Sequence, residues 1–356
     1  MIENILKYYG LAIEDCTVKA FGSGLINHTW LIGAGEKSYI LQRINHNVFK
    51  QPELIDENIN ALGHYLSKHY PAYLFTLPVQ TVEHNTLIQH EDDYYRLFEF
   101  VKDSTTYDVV EYPELAYEAA RQFAKFTKLL ANFPANELKI TLPDFHNLSL
   151  RYKQFRLAIE NASKERLEKS KALIAALKSH VNIVYSYEEL LQNPAFKVRV
   201  THHDTKISNV LFNKQNEGIC VIDLDTVMPG YFISDVGDMM RTYLTAAGEE
   251  ETDLSKVFVR DAYFEAIVRG YLDEMSNELS ADEIKMFVYA GKFMVYMQAL
   301  RFLTDYLNND IYYGAKYELH NFNRAANQLT LLESLLSKEQ TLQKKVYELM
   351  GKQPIV

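Results

Sequence analysis

The stretch of residues 201–225 constrains this chain more than any other part of its sequence. His202 stands two residues before Asp204, and Asn209 follows five residues after that aspartate. Asp223 then comes at the end of an apolar run, fourteen residues after Asn209. Each of these residues alone is typical of a helix cap or a loop. In this order, however, they match the H-x-D-x-x-x-x-N loop and the strand-end aspartate that occur in phosphoryl-transfer enzymes.

Phosphoryl transfer explains why these residue types occur together. A carboxylate is needed to orient and deprotonate the acceptor hydroxyl, while an amide oxygen and a second carboxylate hold Mg²⁺ against the phosphates of ATP. We therefore predict Asp204 as the general base, and Asn209 and Asp223 as ligands of Mg²⁺. Lys206, two residues after the base, is either a cation for the transferring phosphate or a surface charge.

The first hundred residues are predicted to be α+β. Short β-branched and aromatic runs separated by glycine-containing turns predict antiparallel strands, and apolar residues at helical spacing predict one helix. The predicted strands are 17–21, 29–32, 38–43, 73–77 and 94–101, and the predicted helix is 52–68.

Beyond residue 101 the pattern becomes mostly helical. Apolar residues from Leu115 to Leu130 step by three or four along one helical face, and a small hairpin is predicted between Val198 and Ile222. Ser280 and Glu283 form a capping-box pattern that is predicted to open the apolar helix that follows. We predict a sheet-containing lobe over residues 1–101 and a larger helical lobe over residues 102–356.

Composition excludes several classes of protein. The 37 Lys and Arg against 47 Asp and Glu give a net charge of −10, which disfavours a general binder of nucleic acid or anionic membranes, although a local basic pocket stays possible. Two cysteines, Cys16 and Cys220, are too few for a disulfide framework. The N-terminus has no signal-peptide pattern, and the apolar run 286–303 is interrupted by charged and polar residues. We expect a cytoplasmic protein that has no membrane partner.

The chain resembles the aminoglycoside phosphotransferase and choline kinase group of small-molecule kinases, through the catalytic-loop signature described above. Within that group it is most similar to the N-acetylhexosamine 1-kinases, over about residues 20–330. The strings that carry this similarity are Phe21–Asn27, Leu41–Asn45, Val48–Lys50, Glu57–Ile59, Leu142–His146 and Leu300–Leu307. The resemblance implies a bilobal protein-kinase-like α+β fold, with ATP and Mg²⁺ as cofactors.

A glycine-rich loop that covers the phosphates is implied at Gly22, Ser23 and Gly24. Glycines let backbone N–H groups approach an anion, although a G-x-G turn in a hairpin is commonly only a turn. Asn27 stands where the third glycine of a G-x-G-x-x-G loop belongs. These four residues are predicted to bind the nucleotide.

The strand that usually carries a phosphate-pairing lysine has no lysine here and ends with Gln42 and Arg43. Arg43 is predicted to replace that lysine and Glu57 to orient it, although Gln42 takes the inward position if the strand faces the other way. The resemblance places the hinge that binds adenine at residues 97–101, which include Glu99 and Val101.

For the acceptor, the resemblance points to Arg301 and Tyr312 as sugar-binding residues, with Asp204 holding the reacting hydroxyl. An ion pair between Arg301 and Asp305 is an equally open interpretation. Asp225 resembles the second acid of an I-D-x-[DE] pattern and is predicted to bind metal or substrate.

Three charged residues further along, Asp235, Asp238 and Arg241, are expected to brace the catalytic loop through caps and buried ion pairs. Together with the catalytic-loop pattern, the resemblance implies ATP-dependent phosphorylation of the anomeric hydroxyl of an N-acetylhexosamine. The alternatives are a kinase for another sugar, an aminoglycoside, choline or homoserine, or a pseudokinase that only binds nucleotide. The sequence leaves the oligomeric state open.

Overall fold

A computed structural model describes residues 1–22 and 26–351, which form two compact units. The sheet unit contains Met1–Thr105, Asn132–Pro143 and Leu211–Pro229. The helical unit contains Thr106–Ala131, Asp144–Val210 and the chain from Gly230 onwards. The predicted division into lobes of residues 1–101 and 102–356 stays a prediction, and each unit is described by itself.

The sheet unit is built on a five-stranded antiparallel sheet with the strand order β1-β2-β3-β5-β4. Alternation along β3 buries Tyr39 and Leu41 on the face that also packs against Ile5 and Leu6 of helix α1. A second helix, α2, follows β3. The bounds are α1 Ile2–Tyr8, β1 Cys16–Ala20, β2 His28–Ala34, β3 Lys37–Ile44, α2 Pro52–His69, β4 Ile88–His90 and β5 Asp93–Glu99.

Most of the predicted elements of this unit are confirmed, but the strand predicted over residues 73–77 is wrong. That segment is irregular, and only Pro78 beside it forms an isolated bridge, to Phe98. Prolines at positions 71 and 78 flank the segment, and proline has no N–H to donate to a ladder. The strand β4 was not predicted, because its three residues are too few to show an alternation.

The helical unit consists mainly of nine helices among the described residues, together with short strands. The helices are α3 Pro113–Leu129, α4 Leu148–Asn161, α5 Lys164–Ser179, α6 Asn182–Gln192, α7 Phe232–Tyr243, α8 Asp261–Met275, α9 Ala281–Lys285, α10 Phe287–Leu307 and α11 His320–Leu349. The later strands of the chain are β6 Arg199–Thr201, β7 Val210–Phe212, β8 Gly218–Val221 and β9 Met228–Gly230, and β7 with β8 forms the predicted hairpin.

Helix α10 is the central helix of this unit. Every residue of α10 is buried except Arg301 and Thr304. No helix in residues 1–22 and 26–351 is both long enough and apolar enough to cross a membrane.

The capping box predicted before α10 is present. The side chain of Ser280 accepts from the N–H of Glu283, and the Glu283 carboxylate accepts from the N–H of Ser280. The prediction that this box opens the long apolar helix is wrong, because the helix it starts is the five-residue α9. Met286 separates α9 from α10 with a non-helical ψ of 10°.

Glycine at position 270 sets how closely α8 approaches α3. A Cβ built there would lie 2.3 Å from the backbone oxygen of Tyr117, which cannot move without shifting α3. We expect Gly270→Ala to lower the free energy of unfolding by about 1–3 kcal/mol, although alanine favours a helix over glycine. Gly63→Ala in α2 is the control, since there the close atoms belong to the side chain of Leu77, which can rotate. Urea denaturation of both variants checks this, and equal effects would contradict it.

Candidate active site

Asp204 and Asn209 lie together in the loop between β6 and β7. The side-chain amide of Asn209 donates to the backbone oxygen of Asp204 at 2.9 Å and to its Oδ2 at 3.2 Å. The Nζ of Lys206 lies 3.1 Å from the same Oδ2. The other oxygen, Oδ1, accepts no hydrogen bond within the described residues, and the side chain is 18% exposed. The structure thus leaves one oxygen of Asp204 free to accept a proton.

The donor set around this loop fits a hard cation such as Mg²⁺. Because the amide nitrogen of Asn209 makes both bonds to Asp204, its amide oxygen is the atom left without a hydrogen bond in the described part of the chain. No group of three or more His, Cys, Asp or Glu side chains forms a metal site among residues 1–22 and 26–351. Mg²⁺ does not need such a group, since it commonly binds one or two carboxylates together with substrate phosphates.

Two aspartates of α7 hold the backbone of this loop. Asp235 accepts from the N–H of His202 at 3.0 Å and from that of His203 at 2.7 Å. Asp238 accepts from the N–H of Thr205 at 2.8 Å. These bonds satisfy three buried N–H groups on both sides of Asp204, and they hold the backbone from which its side chain projects.

Arg241 completes this support through an ion pair. Its guanidinium donates to Oδ1 of Asp238 at 3.0 Å and contacts Glu249 at 3.1 Å. The expectation that Asp235, Asp238 and Arg241 brace the catalytic loop is therefore confirmed.

Burial raises the pKa of Asp235 to about 7. The two hydrogen bonds from N–H groups favour the charged form and oppose this rise. Because the folded state then keeps the proton to a higher pH than the unfolded state, this group makes folding less favourable as the pH rises from about 4 to about 7. Asp235→Asn removes that titration. We expect the difference in the free energy of unfolding between wild type and Asp235→Asn to become smaller as the pH rises. The decrease is up to about 1.4 kcal/mol per pH unit in this window.

Denaturant unfolding at pH 5, 6 and 7 checks this expectation. Asp282→Asn is the control, because that exposed carboxylate has a lowered pKa and stays ionised over the whole range. A stability difference for Asp235→Asn that does not change with pH would contradict the prediction and show that the two N–H bonds keep Asp235 charged.

In the sheet unit, the two acids that follow β8 have different surroundings. Asp223 is exposed and has a left-handed backbone φ of 59°. Asp225 is buried, with Nη2 of Arg96 2.5 Å from its Oδ1 and the amide of Asn27 2.8 Å from its Oδ2. Both oxygens of Asp225 are thus engaged by protein donors, while Asp223 is open to solvent.

Arg96 is a buried cation for which the sequence motifs predicted no role. It stands opposite Gln42 in the register of β3 and β5, and its Nε and Nη2 donate to Oε1 of Gln42 at 3.0 and 2.9 Å. Its Nη1 is buried and has no hydrogen-bond partner among the described residues. The one available signal was an arginine in the middle of a strand, with two aromatic residues before it and two apolar residues after it.

Arg43 and Glu57, which were predicted to act together, each have another partner. Nη1 of Arg43 lies 3.2 Å from Asp93, and Glu57 is exposed with Lys139 3.9 Å away. The acid of α2 that interacts electrostatically with the buried Arg96 is instead Asp56. Burial raises the pKa of Asp56, and the positive charge of Arg96 opposes that rise.

The glycine-rich loop is only partly described. Gly22 has a φ of 79°, a backbone conformation that favours glycine, whereas Ser23 and Gly24 lie outside the described residues. The amide oxygen of Asn27 accepts from the N–H of Asn45 at 3.0 Å, so this side chain links the loop to the end of β3 as well as to Asp225.

The predicted hinge residues follow the middle of β5. Glu99 ends the strand, is exposed, and lies 3.4 Å from Lys37. The backbone oxygen of Val101 accepts from the hydroxyl of Ser104 at 2.6 Å.

Arg301 and Tyr312 line one cavity of the helical unit, with a volume of about 440 Å³. The guanidinium of Arg301 donates to Gln298 at 3.2 Å and lies 6.0 Å from the Tyr312 ring. Tyr312 itself is 74% exposed. The alternative ion pair is absent, because Asp305 accepts from the backbone N–H groups of Tyr312 and Tyr313 at 2.7 and 2.9 Å.

A row of rings connects this cavity with the catalytic loop. The Arg301 guanidinium lies 5.9 Å from the ring of Phe145, which stacks on His146 at 4.4 Å. The His146 ring is 5.3 Å from that of His203, the residue before Asp204. Burial, then the nearby His203 and Arg301, lower the pKa of His146 well below its usual range. A neutral ring therefore lies between Arg301 and the catalytic loop.

Comparison with known proteins agrees with this geometry. The profile of the phosphotransferase enzyme family matches residues 17–278 of the chain. These residues include the catalytic loop and both acids that follow β8.

Solved structures of small-molecule kinases share the fold. A microcompartment-associated aminopropanol kinase has a TM-score of 0.68 at 14% identity, covering 97% of this chain and 98% of its own. A spectinomycin phosphotransferase solved with ADP and spectinomycin has a TM-score of 0.60 at 14% identity, covering 95% and 98%. A choline kinase from Cryptosporidium parvum has a TM-score of 0.57 at 16% identity, covering 98% of both chains.

Proposed function

Because the chain belongs to the phosphotransferase enzyme family, we propose that it transfers the γ-phosphoryl group of ATP to the anomeric hydroxyl of an N-acetylhexosamine. The product is the sugar 1-phosphate. The observation that carries the choice of acceptor is Arg301, which lines a cavity of the helical unit and has no carboxylate partner among the described residues. We further propose that the enzyme acts in the cytoplasm.

In this mechanism Asp204 orients the acceptor hydroxyl and takes its proton through the free Oδ1. Asn209 and Asp223 would hold Mg²⁺, which neutralises charge on the phosphates when bound. Lys206 supplies a positive charge beside the base, and the α7 carboxylates keep the loop in place. Positioning and electrostatic stabilisation account for most of the rate in such reactions.

The nucleotide is proposed to bind to the sheet unit. Gly22, Ser23 and Gly24 would cover the phosphates, and the backbone at Glu99 and Val101 would contact adenine. Asp225 accepts hydrogen bonds from Asn27 and from Arg96. The buried cation of this region is therefore Arg96 and not a lysine of β3. Arg43 and Glu57 stay candidates for contacts with the nucleotide from the edges of the same unit.

The surroundings of Arg301 favour a neutral amido-sugar over a cationic acceptor. A guanidinium donates hydrogen bonds to hydroxyl and carbonyl oxygens, whereas it repels the ammonium group of choline or of an aminoglycoside. The rings of Tyr312 and Tyr313 offer apolar faces against which a sugar ring can pack.

A kinase for another small alcohol is the second candidate, because the structural neighbours include kinases named for aminopropanol and choline. A pseudokinase that binds nucleotide without turnover is the third. It is disfavoured because Asp204, Asn209 and Asp223 supply the base and both Mg²⁺ ligands.

The test is ADP release with Mg-ATP against N-acetylglucosamine, N-acetylgalactosamine, glucose, galactose, choline, homoserine and kanamycin. The site of phosphorylation is then located by ³¹P NMR. We expect an anomeric phosphate on an N-acetylhexosamine. Turnover with another acceptor alone would leave the kinase chemistry in place and reject the sugar assignment, while nucleotide binding without any turnover would favour the pseudokinase.

A further inference from the structure

Two arginines line the cavity that also contains Tyr312 and Tyr313. Arg301 is one of the two residues of α10 that are not buried, and Arg151 of α4 lines the same cavity. The cavity of about 440 Å³ is within the usual size of a small-molecule site. A pair of like charges around one cavity is unfavourable unless something compensates it.

Neither arginine has a carboxylate partner within the described residues. Arg151 donates to the side chain of Gln154 at 3.0 Å and to the backbone oxygen of Asp144 at 2.9 Å. Its Nε is buried and has no hydrogen-bond partner in the part of the chain that the structure describes. Within residues 1–22 and 26–351, Arg301 donates only to the neutral side chain of Gln298.

Among the described residues, the acidic side chains near the cavity form no ion pair with Arg151 or Arg301. Asp305 lines the cavity, but its oxygens accept from two backbone N–H groups and from Asn321. The carboxylate of Asp144 accepts from Asn147, and Asp310 pairs with Arg166. Burial lowers the pKa of Arg151, and the positive charge of Arg301 lowers it further.

We infer that this cavity binds an anionic oxygen group of the acceptor, so that the preferred substrate is an N-acetylhexosamine with an acidic substituent. This inference rests on the proposed function. Guanidinium groups bind carboxylate and phosphate through paired, charge-assisted hydrogen bonds, and Arg151 and Arg301 still have unused N–H donors for them. The protein has a net charge of −10, so the attraction for the anion is local to this cavity.

The experiment compares kcat/KM for N-acetylglucosamine with that for derivatives that carry a carboxylate or a phosphate at C6, or a carboxyethyl ether at C3. We expect at least one acidic derivative to be preferred over the neutral sugar by about tenfold or more, which is what one charge-assisted contact supplies. In Arg151→Gln this ratio is expected to fall towards one, and in Arg151→Lys to be partly kept. Arg156→Gln, an exposed arginine on the same helix, is the control and keeps the ratio.

Direct binding separates this inference from the proposed function. Isothermal titration of the same sugars without ATP is expected to show tighter binding of an acidic derivative, lost in Arg151→Gln. Preference for the neutral sugar in both kinetics and titration would overturn the inference and leave the sugar kinase assignment standing. Absence of turnover with every sugar would overturn the proposed function, and the titration would still decide whether the cavity binds an anion.

Discussion

Replacement of Asp204 by asparagine is expected to lower kcat by about 10²–10⁴-fold, since this is the usual contribution of a positioned general base. Asparagine has nearly the same shape and keeps an oxygen for the bond from Asn209, so the loop is expected to stay in place. Nucleotide binding is expected to change little, because the base acts on the acceptor. Steady-state kinetics and titration with ADP measure the two quantities.

Asp253→Asn is the matched control for this change. Asp253 is an exposed aspartate of the helical unit that caps a short turn by accepting from the N–H of Ser255, a role that asparagine also fills. It is expected to keep wild-type kcat. An Asp204→Asn enzyme with normal kcat would reject Asp204 as the base, and a variant that loses ADP binding as well would show a structural defect instead.

The contact between Asp204 and Asn209 depends on local sequence, while their catalytic roles stay predictions. The spacing of Asp204 and Asn209 fixes which atoms meet in a short turn, and the structure shows the amide of Asn209 donating to Asp204. The bracing by α7 was also predictable, although its acids lie more than thirty positions after the loop, since buried acids need N–H or cationic partners. The capping box before α9 is local in the same way.

The contacts of Arg96, the buried cation of the sheet unit, were not predictable from the sequence. They depend on which strands pair and in which register. Arg96 meets Gln42 only because β5 lies next to β3, and the two residues are 54 positions apart in the sequence. The role of Glu57 stays a prediction, and the structure shows its neighbour Asp56 as the less exposed acid of the two. Neighbouring residues of a helix point about 100° apart, so a small rotation of α2 decides which acid faces inwards.

Loss of Arg96 is expected to be the most destabilising single change in the sheet unit. The pair of Arg96 with Asp225 is almost fully buried, with side chains 3% and 2% exposed. Arg96→Met would leave the charge of Asp225 in the interior with only the amide of Asn27 as a partner. Breaking such a pair by removing one partner costs about 3–5 kcal/mol, which urea denaturation measures directly.

Arg43→Met is the matched control, since it makes the same substitution on the neighbouring strand. The pair of Arg43 with Asp93 is 28% and 29% exposed, so solvent screens it and its loss is expected to cost less than about 1 kcal/mol. Arg96→Met combined with Asp225→Asn is expected to be less destabilising than the two single changes added together, because neither charge is then left alone. Additive effects, or equal costs at positions 43 and 96, would show that the buried ion pair does not stabilise this unit.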